Sequence, residues 1–151
     1  MATAIKTNSF QFDWPVRVYY EDTDAGGVVY HSTYLNYMER ARTEWLRHLG
    51  FEQTYLKEHL NIIFMVHSMQ IAFRKPAKFN DLLIVTSELS RIGHCSFEFM
   101  QKICFNQQML IEAQVKIVCV QVFNFKPTAI PEKIRIVMKK YDKAEKYDSS
   151  E

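Results

Sequence analysis

The hydrophobic pattern changes from strand-like to helical period near residue 32. From Ser32 onward, apolar side chains recur at helical spacing and fall on one face of a helical wheel, opposite polar residues: Tyr34, Met38, Ala41, Trp45 and Leu49. Ser32 or Thr33 can cap the start of this segment, and Gly50 can end it. The pattern therefore predicts a long amphipathic helix between residues 32 and 50.

Most of the remaining chain has a sequence pattern typical of β-strands. A first strand is predicted over residues 11–22, with Pro15 at its start or on a sheet edge. After a short helix over residues 52–60, apolar segments bounded by turn residues predict four more strands, over 62–73, 81–92, 95–105 and 109–123. A terminal helix over 131–141, with Pro131 in its first turn, completes the prediction.

Two breaks between these strands are short enough to be hairpin connections. They are residues 93–94 and 106–108, so the strands that they join are expected to be antiparallel neighbours. In the segment 62–73, Ile63, Met65, Met69, Ile71 and Phe73 share one face by alternation, and His67 among them is expected to be a core histidine.

The order of elements predicts an α+β fold in which one long helix lies on a curved antiparallel sheet. The 151 residues are expected to form one domain, with about 1–9 and 142–151 flexible. Because four or five strands leave an unpaired edge, a homo-oligomer is expected rather than a monomer.

Composition limits the possible partners and compartments. The net charge of +2 is too small to predict a nucleic-acid or membrane partner, and no apolar run is long enough to span a membrane. Three cysteines without a C-x-x-C spacing argue against a disulfide framework or a zinc site. With no secretory signal pattern at the start of the sequence, a cytoplasmic location is expected.

The candidate chemistry lies in the acid-rich turn before the long helix. The nucleotide-binding and hydrolase motifs with known mechanics are absent, and the five histidines lack metal-ligand spacing. Asp24 precedes a small-residue turn, Ala25-Gly26-Gly27, that allows a ligand to approach the main chain. A helix start follows, whose free N–H groups can hold negative charge on an oxygen. A carboxylate beside such a helix start suits hydrolysis of an activated carbonyl.

Spacing alone leaves structural interpretations open for the same residues. Asp24 is equally explained as a turn or capping acid. His31 is explained as a packed or solvent-facing residue near the helix cap. Glu39 and Arg42 are three residues apart and can form a simple surface ion pair.

A resemblance favours the catalytic interpretation. Residues 18–47, VYYEDTDAGGVVYHSTYLNYMERARTEWLR, resemble the signature of hotdog-fold acyl-CoA thioesterases. They are most similar to the YbgC branch, which is related to 4-hydroxybenzoyl-CoA thioesterase and associated with the Tol–Pal gene cluster of Gram-negative bacteria. Weaker agreement, including FRKPAKFNDLL, extends from about Phe10 to Val122.

The resemblance implies a fold, an assembly and a reaction. The fold would be a five-stranded antiparallel sheet wrapped around the long helix. Two protomers would join their sheets into one, dimers would often pair into tetramers, and active sites would lie at the dimer interface. The reaction would release a free acid and coenzyme A without a metal or other cofactor, since coenzyme A is part of the substrate.

The resemblance also assigns roles to residues. Asp24 matches the catalytic carboxylate, acting as general base or as nucleophile. At His31 the helix begins, and its backbone N–H would polarise the thioester carbonyl with assistance from the imidazole. Gly27 and Tyr30 would shape the turn around the acyl group. Glu39, from the helix that supplies the carboxylate in a second group of hotdog thioesterases, ranks behind Asp24.

Basic residues are candidates for binding the phosphates of coenzyme A. They are Arg74, Lys75, Lys78 and Arg91, each equally explained as a solvated loop charge. Two other functions remain open: an acyl-CoA hydratase or dehydratase on the same fold, and a non-catalytic acyl-binding or scaffold protein. Acyl carrier protein is a further candidate partner, either as scaffold target or as carrier of the acyl group, and the acyl-chain preference is open.

Overall fold

A five-stranded antiparallel sheet forms around the long helix that the hydrophobic period predicts. The computed structural model describes residues 10–142. The elements in chain order are β1 (Gln11–Arg17), α1 (His31–His48), α2 (Gln53–Leu60), β2 (Ile62–Phe73), β3 (Leu82–Ile92), β4 (Ser96–Phe105), β5 (Gln108–Gln121) and α3 (Glu132–Lys139). The strand order β1-β3-β4-β5-β2 leaves β1 and β2 at the two edges. The predicted α+β architecture is therefore confirmed.

The ends of α1 only partly match the prediction. The N-cap is Tyr30, which makes no side-chain capping bond, and the N–H of Thr33 bonds the Tyr30 carbonyl at 2.9 Å. Ser32 and Thr33 therefore lie inside the first turn, and their prediction as caps is wrong. Gly50 follows the C-cap residue with φ of 101°, so its prediction as the helix stop is confirmed.

The apolar face of α1 packs into the concave side of the sheet. Trp45 meets the ring of Phe99 from β4 edge to face, with ring centroids 4.8 Å apart. The buried residues of α1 are Tyr34, Tyr37, Met38, Ala41, Trp45 and Leu46. These side chains belong to one hydrophobic core cluster with residues of the strands.

A β-bulge in β2 changes which of its residues face α1. The register with β5 shifts between Val66 and Ser68, so residues 62, 64 and 66 face inward before the bulge and 69, 71 and 73 after it. The prediction that Ile63 and Met65 share a face with the later residues is therefore wrong. His67 lies at the bulge and is exposed, so its prediction as a core histidine is also wrong.

The other predicted boundaries need smaller corrections. β1 ends at Arg17 and is followed by a 3-10 turn over Tyr20–Asp22, because this part of the chain turns away from β3. Pro15 lies in an edge strand, as expected. Pro131 is the N-cap of α3 rather than part of its first turn.

The chain connections match the predicted hairpins. β3, β4 and β5 are antiparallel neighbours, and Asn106 and Gln107 both have positive φ, as a two-residue hairpin turn requires. Asp142, the first residue of the predicted flexible C-terminal end, is buried and pairs with Leu89 in an isolated β-bridge. The rest of the predicted flexible ends, 1–9 and 143–151, lies outside the described residues.

Gly50→Ala should lower the free energy of unfolding by about 1–2 kcal/mol, because a Cβ is disfavoured at positive φ. The added methyl group would meet no atom within 4 Å, so the effect comes from the backbone alone. Urea unfolding measures it. Gly50→Asn is the matched control and should cost less, since asparagine tolerates this conformation better. Equal stability of the Ala variant and the unmodified protein would contradict this reading of the helix end.

Candidate active site

The acid-rich segment forms a tight turn held by backbone hydrogen bonds. The N–H of Asp24 bonds the Val28 carbonyl at 2.9 Å, and the N–H of Gly27 bonds the Asp24 carbonyl at 3.0 Å. Gly27 has φ of 81°, which explains a glycine at that position. We call residues 22–29 the acid turn.

Asp24 presents its carboxylate to solvent from this turn. One oxygen, Oδ1, accepts the N–H of Gly26 at 2.8 Å, and no other hydrogen bond from residues 10–142 reaches the side chain. A Cβ on residue 26 would lie 3.2 Å from that oxygen, so Gly26 leaves room for the carboxylate. Asp24 therefore keeps an oxygen that is available to a water molecule or a ligand.

Asp22 is engaged within the protein instead. Its Oδ2 accepts the hydroxyl of Tyr37 at 2.8 Å and the N–H of Tyr19 at 2.9 Å. Burial, followed by the hydrogen bond to Asp22, raises the pKa of Tyr37, so the phenol remains a protonated donor. The sequence places two acids in the turn. These contacts make Asp22 a structural acid, whereas Asp24 is available to a ligand.

The start of α1 lies beside the acid turn. The N–H of Tyr30 bonds the carbonyl of Asp22 at 3.0 Å. Within residues 10–142, the N–H groups of His31 and Ser32 have no hydrogen-bond partner, so they can donate to a bound oxygen. The exposed imidazole of His31 packs against the edge of Phe73 with ring centroids 4.9 Å apart.

A cleft of about 210 Å³ opens at this helix start. At its buried wall, the hydroxyl oxygen of Tyr34 accepts the N–H of Ala77 at 2.9 Å, and burial raises the pKa of Tyr34. The N–H of Val29 bonds the carbonyl of Ala77 at 2.9 Å and joins the acid turn to the same wall. The cleft is lined by Val28, Val29, His31, Tyr34, Phe73, Arg74, Lys75, Pro76 and Ile111.

Three of the four predicted phosphate-binding residues lie near this cleft. Arg74 and Lys75 line it, and Lys78 pairs through its backbone with Val28 of the acid turn. Arg74 forms an ion pair with Glu112, with a nitrogen–oxygen distance of 3.0 Å. Arg91 lies at the far end of β3, about 30 Å along the strand, so one chain does not bring it to the cleft.

Glu39 lies two turns further along α1, beside a second cavity. It is about 12 Å from His31 along the helix axis and accepts the hydroxyl of Thr43 at 2.6 Å. Arg42 donates instead to Oε1 of Gln101 at 2.9 Å. The predicted ion pair between Glu39 and Arg42 is therefore not formed among the described residues.

The second cavity measures about 140 Å³ and is mainly apolar. Burial lowers the pKa of Arg42 at its edge, while the charge of Glu39 opposes that shift. The side-chain amide of Gln101 donates to the carbonyl of Met38 and to Oγ of Ser87. These two bonds hold Gln101, whose Oε1 accepts the guanidinium of Arg42. The lining residues are Glu39, Arg42, Thr43, Trp45, Leu46, Gln53, Phe64, Val66, Phe97, Phe99 and Ile117.

Sequence reasoning missed the contacts of Tyr37, Gln101 and Asp22. Tyr37 falls at the flank of the apolar face on a helical wheel, where a phenol usually signals packing. Gln101 is a polar residue at an inward position of a strand, a signal that a sequence does provide once the alternation is set.

Within residues 10–142, no cluster of three or more histidine, cysteine, aspartate or glutamate side chains could hold a metal ion. None of the helices in this part of the chain is long and apolar enough to cross a membrane.

Comparison with known proteins gives a consistent family. Residues 18–137 match the thioesterase-like superfamily. The chain is 47% identical to the acyl-CoA thioesterase YbgC of Haemophilus influenzae over 82% of this chain and 91% of that one. It is 44% identical to the acyl-CoA thioester hydrolase YbgC of Escherichia coli O157:H7, over 84% and 95% of the two chains. The crystal structure of a probable thioesterase from Bartonella henselae has a TM-score of 0.76 and 38% identity, covering 79% of this chain and 98% of that one.

Proposed function

This chain belongs to the thioesterase-like superfamily and hydrolyses acyl-CoA thioesters, and on that premise we propose that Asp24 and the start of α1 carry out the reaction. The observation that carries the proposal is the available carboxylate of Asp24 on a turn bonded directly to an uncapped helix start. Asp24 is the exposed carboxylate of the acid turn, whereas Asp22 is half-buried and hydrogen-bonded to Tyr37 and Tyr19.

The reaction follows from the chemistry of these two groups. The thioester carbonyl oxygen accepts the N–H of His31, whose position at the helix start stabilises the developing negative charge. Asp24 takes a proton from water as the water attacks the carbonyl carbon, and the C–S bond then breaks. The thiolate of coenzyme A receives the proton, and the free acid leaves. Direct attack by Asp24, through a mixed anhydride that water opens, gives the same products.

The cleft at the helix start suits the coenzyme A end of the substrate. Lys75 and Lys78 form no ion pair within residues 10–142, so their ammonium groups are available to phosphate oxygens, whereas Arg74 is shared with Glu112. Arg91 has a weak contact of 3.9 Å with Glu98 and would reach this substrate only from another chain.

We propose a two-fold dimer formed through β2. This strand is a 12-residue sheet edge, and the inward-facing Val66 and Phe73 are 46% and 44% exposed. A long apolar edge of this kind favours pairing with a second copy. Pairing would cover both side chains and continue the sheet across the dimer.

The direction of this pairing has a consequence for the acyl group. If β2 pairs antiparallel with its copy near the bulge at His67, Phe73 of one protomer lies near the start of β2 in its partner. His31, which packs on Phe73, then lies towards the end of the partner's β2 that carries Phe64, a residue that lines the second cavity. We propose that this cavity receives the acyl group. A cavity of about 150 Å³ accepts a benzene ring in another protein, so a compact acyl group fits best.

Asp24→Asn should lower kcat by at least about 100-fold, because a positioned general base typically contributes about 10²–10⁴ in rate. The assay is thiol release from a panel of acyl-CoA thioesters and acyl carrier protein thioesters. Glu39→Gln is the matched control, since it neutralises the other carboxylate and retains the acceptor for Thr43; its loss should be far smaller. Equal losses with unchanged melting temperatures would transfer the catalytic role to α1. The absence of thiol release from every substrate would favour a hydratase or an acyl-binding protein.

Mixed dimers test where the acyl group lies. Thr43→Trp should block the second cavity, so this homodimer and the Asp24→Asn homodimer should both be nearly inactive. A dimer with one copy of each variant should recover about half of the unmodified activity, since one of its two sites is complete. Differently tagged chains allow purification of that dimer. An inactive mixed dimer would place the acyl group in the cavity of the protomer that supplies Asp24, and a fully active monomer would exclude the shared site.

A further inference from the structure

We infer that Asp22 and Tyr37 form a positioning pair that sets the distance between the Asp24 carboxylate and the start of α1. The inference rests on the proposed function of Asp24 and adds two residues that do not touch the thioester. It concerns how two reacting groups on different elements, a turn and a helix, are kept in one geometry.

Asp22 connects the acid turn to α1 at two separate points. Its carboxylate accepts the hydroxyl of Tyr37, in the second turn of the helix, at 2.8 Å. Its backbone carbonyl accepts the N–H of Tyr30, the N-cap residue, at 3.0 Å. Asp24 is two residues from the first connection, and His31 is one residue from the second. Both reacting groups are therefore within two residues of this anchor.

The other bonds of the acid turn do not reach the helix. Val29 bonds Ala77, and Val28 pairs with Lys78, so these contacts hold the turn to the segment that precedes β3. Among the described residues, every hydrogen bond that joins residues 20–28 to α1 or its N-cap is made by Asp22. An indirect connection runs through Ala77, whose carbonyl accepts the N–H of Val29 and whose N–H bonds the hydroxyl oxygen of Tyr34. Without the Tyr37 bond, the direct connection left would be the cap contact between Asp22 and Tyr30.

The bond between Tyr37 and Asp22 is suited to this task. Tyr37 is fully buried, so its ring is fixed by packing and its hydroxyl has a defined direction. The acceptor is a carboxylate, and charge-assisted hydrogen bonds are shorter and stronger than neutral ones. The same carboxylate oxygen also accepts the N–H of Tyr19, which fixes the first residues of the turn. The anchor is consequently stiff at both ends.

A buried hydrogen bond can also serve stability alone, and the two roles give different kinetics. A purely structural bond would lower the melting temperature and leave kcat of the folded enzyme unchanged. A positioning bond acts on the reacting geometry, where a displacement of about 1 Å can cost about 100-fold in rate. In the proposed function, the cleft and the second cavity bind the substrate. The bond between Tyr37 and Asp22 contributes to neither, so KM should change little.

The experiment uses the full-length enzyme and three variants: Tyr37→Phe, Asp22→Ala and the double variant. We expect each single variant to lower kcat by about 10-fold or more, with KM within about threefold, by the displacement argument above. The double variant should be no slower than Asp22→Ala alone, because the bond that Tyr37→Phe removes is already lost in Asp22→Ala. Ile134→Val is the control: it removes a methyl group from a fully buried side chain of α3 that lines neither cavity, and it should lower stability but not kcat.

A further combination separates this inference from the proposed function. In the Asp24→Asn background, Tyr37→Phe should not lower the residual rate further, because the group that it positions is already lost. A folded Tyr37→Phe enzyme with unchanged kcat would overturn the inference, as would an equal further loss in the Asp24→Asn background. If Tyr37→Phe does not fold, Asp22→Ala decides by the same criteria, since Asp22 ends a short 3-10 turn and is only half-buried. High activity of Asp24→Asn itself would instead reject the proposed function.

Discussion

The packing of α1 against the concave face of the sheet is the constraint on which the site depends. Trp45, Met38 and Tyr37 are buried against the strands, so the helix can neither rotate nor slide without opening the core. Its first N–H groups are therefore held in one place. The acid turn is then positioned relative to that helix, rather than by contacts of Asp24 itself.

The same helix separates two regions of different character. At its start, a cleft with lysines and free backbone donors suits a charged, phosphate-bearing molecule. Two turns later, an apolar cavity closed by aromatic rings suits a compact acyl group. In one chain these regions lie at opposite ends of the inward face of β2. Antiparallel pairing of that strand would bring the cleft of one protomer to the cavity of the other, which explains why a dimer would be needed for a complete site.

The fold was predictable because its signals are local and periodic. The change of period near residue 32, the glycine at position 50 and the two hairpin breaks sufficed to predict one helix on an antiparallel sheet. The bulge in β2 was not predictable by alternation, since an extra residue inverts the faces without changing the composition. This is why His67 was placed in the core while it is exposed.

The site was predictable as a segment but not as a set of roles. Spacing places both Asp22 and Asp24 within ten residues of the helix start, and contacts with the hydroxyl of Tyr37, fifteen residues further on, and with the N–H of Tyr19 engage only Asp22. In the same way, spacing allows an ion pair of Arg42 with Glu39, three residues away, whereas Arg42 bonds Gln101 on β4. Such partners are distant in sequence, so a periodic pattern carries no information about them.

The most direct test of the account is a crystal structure of the Asp24→Asn variant with an intact acyl-CoA thioester bound. The account predicts that the thioester carbonyl oxygen lies 2.7–3.1 Å from the His31 nitrogen, the distance expected for a donor to a developing oxyanion. The side chain at position 24 should lie within about 3–3.5 Å of the carbonyl carbon or of the water next to it. A thioester bound beside Glu39, with residue 24 facing solvent and the helix start empty, would contradict the account.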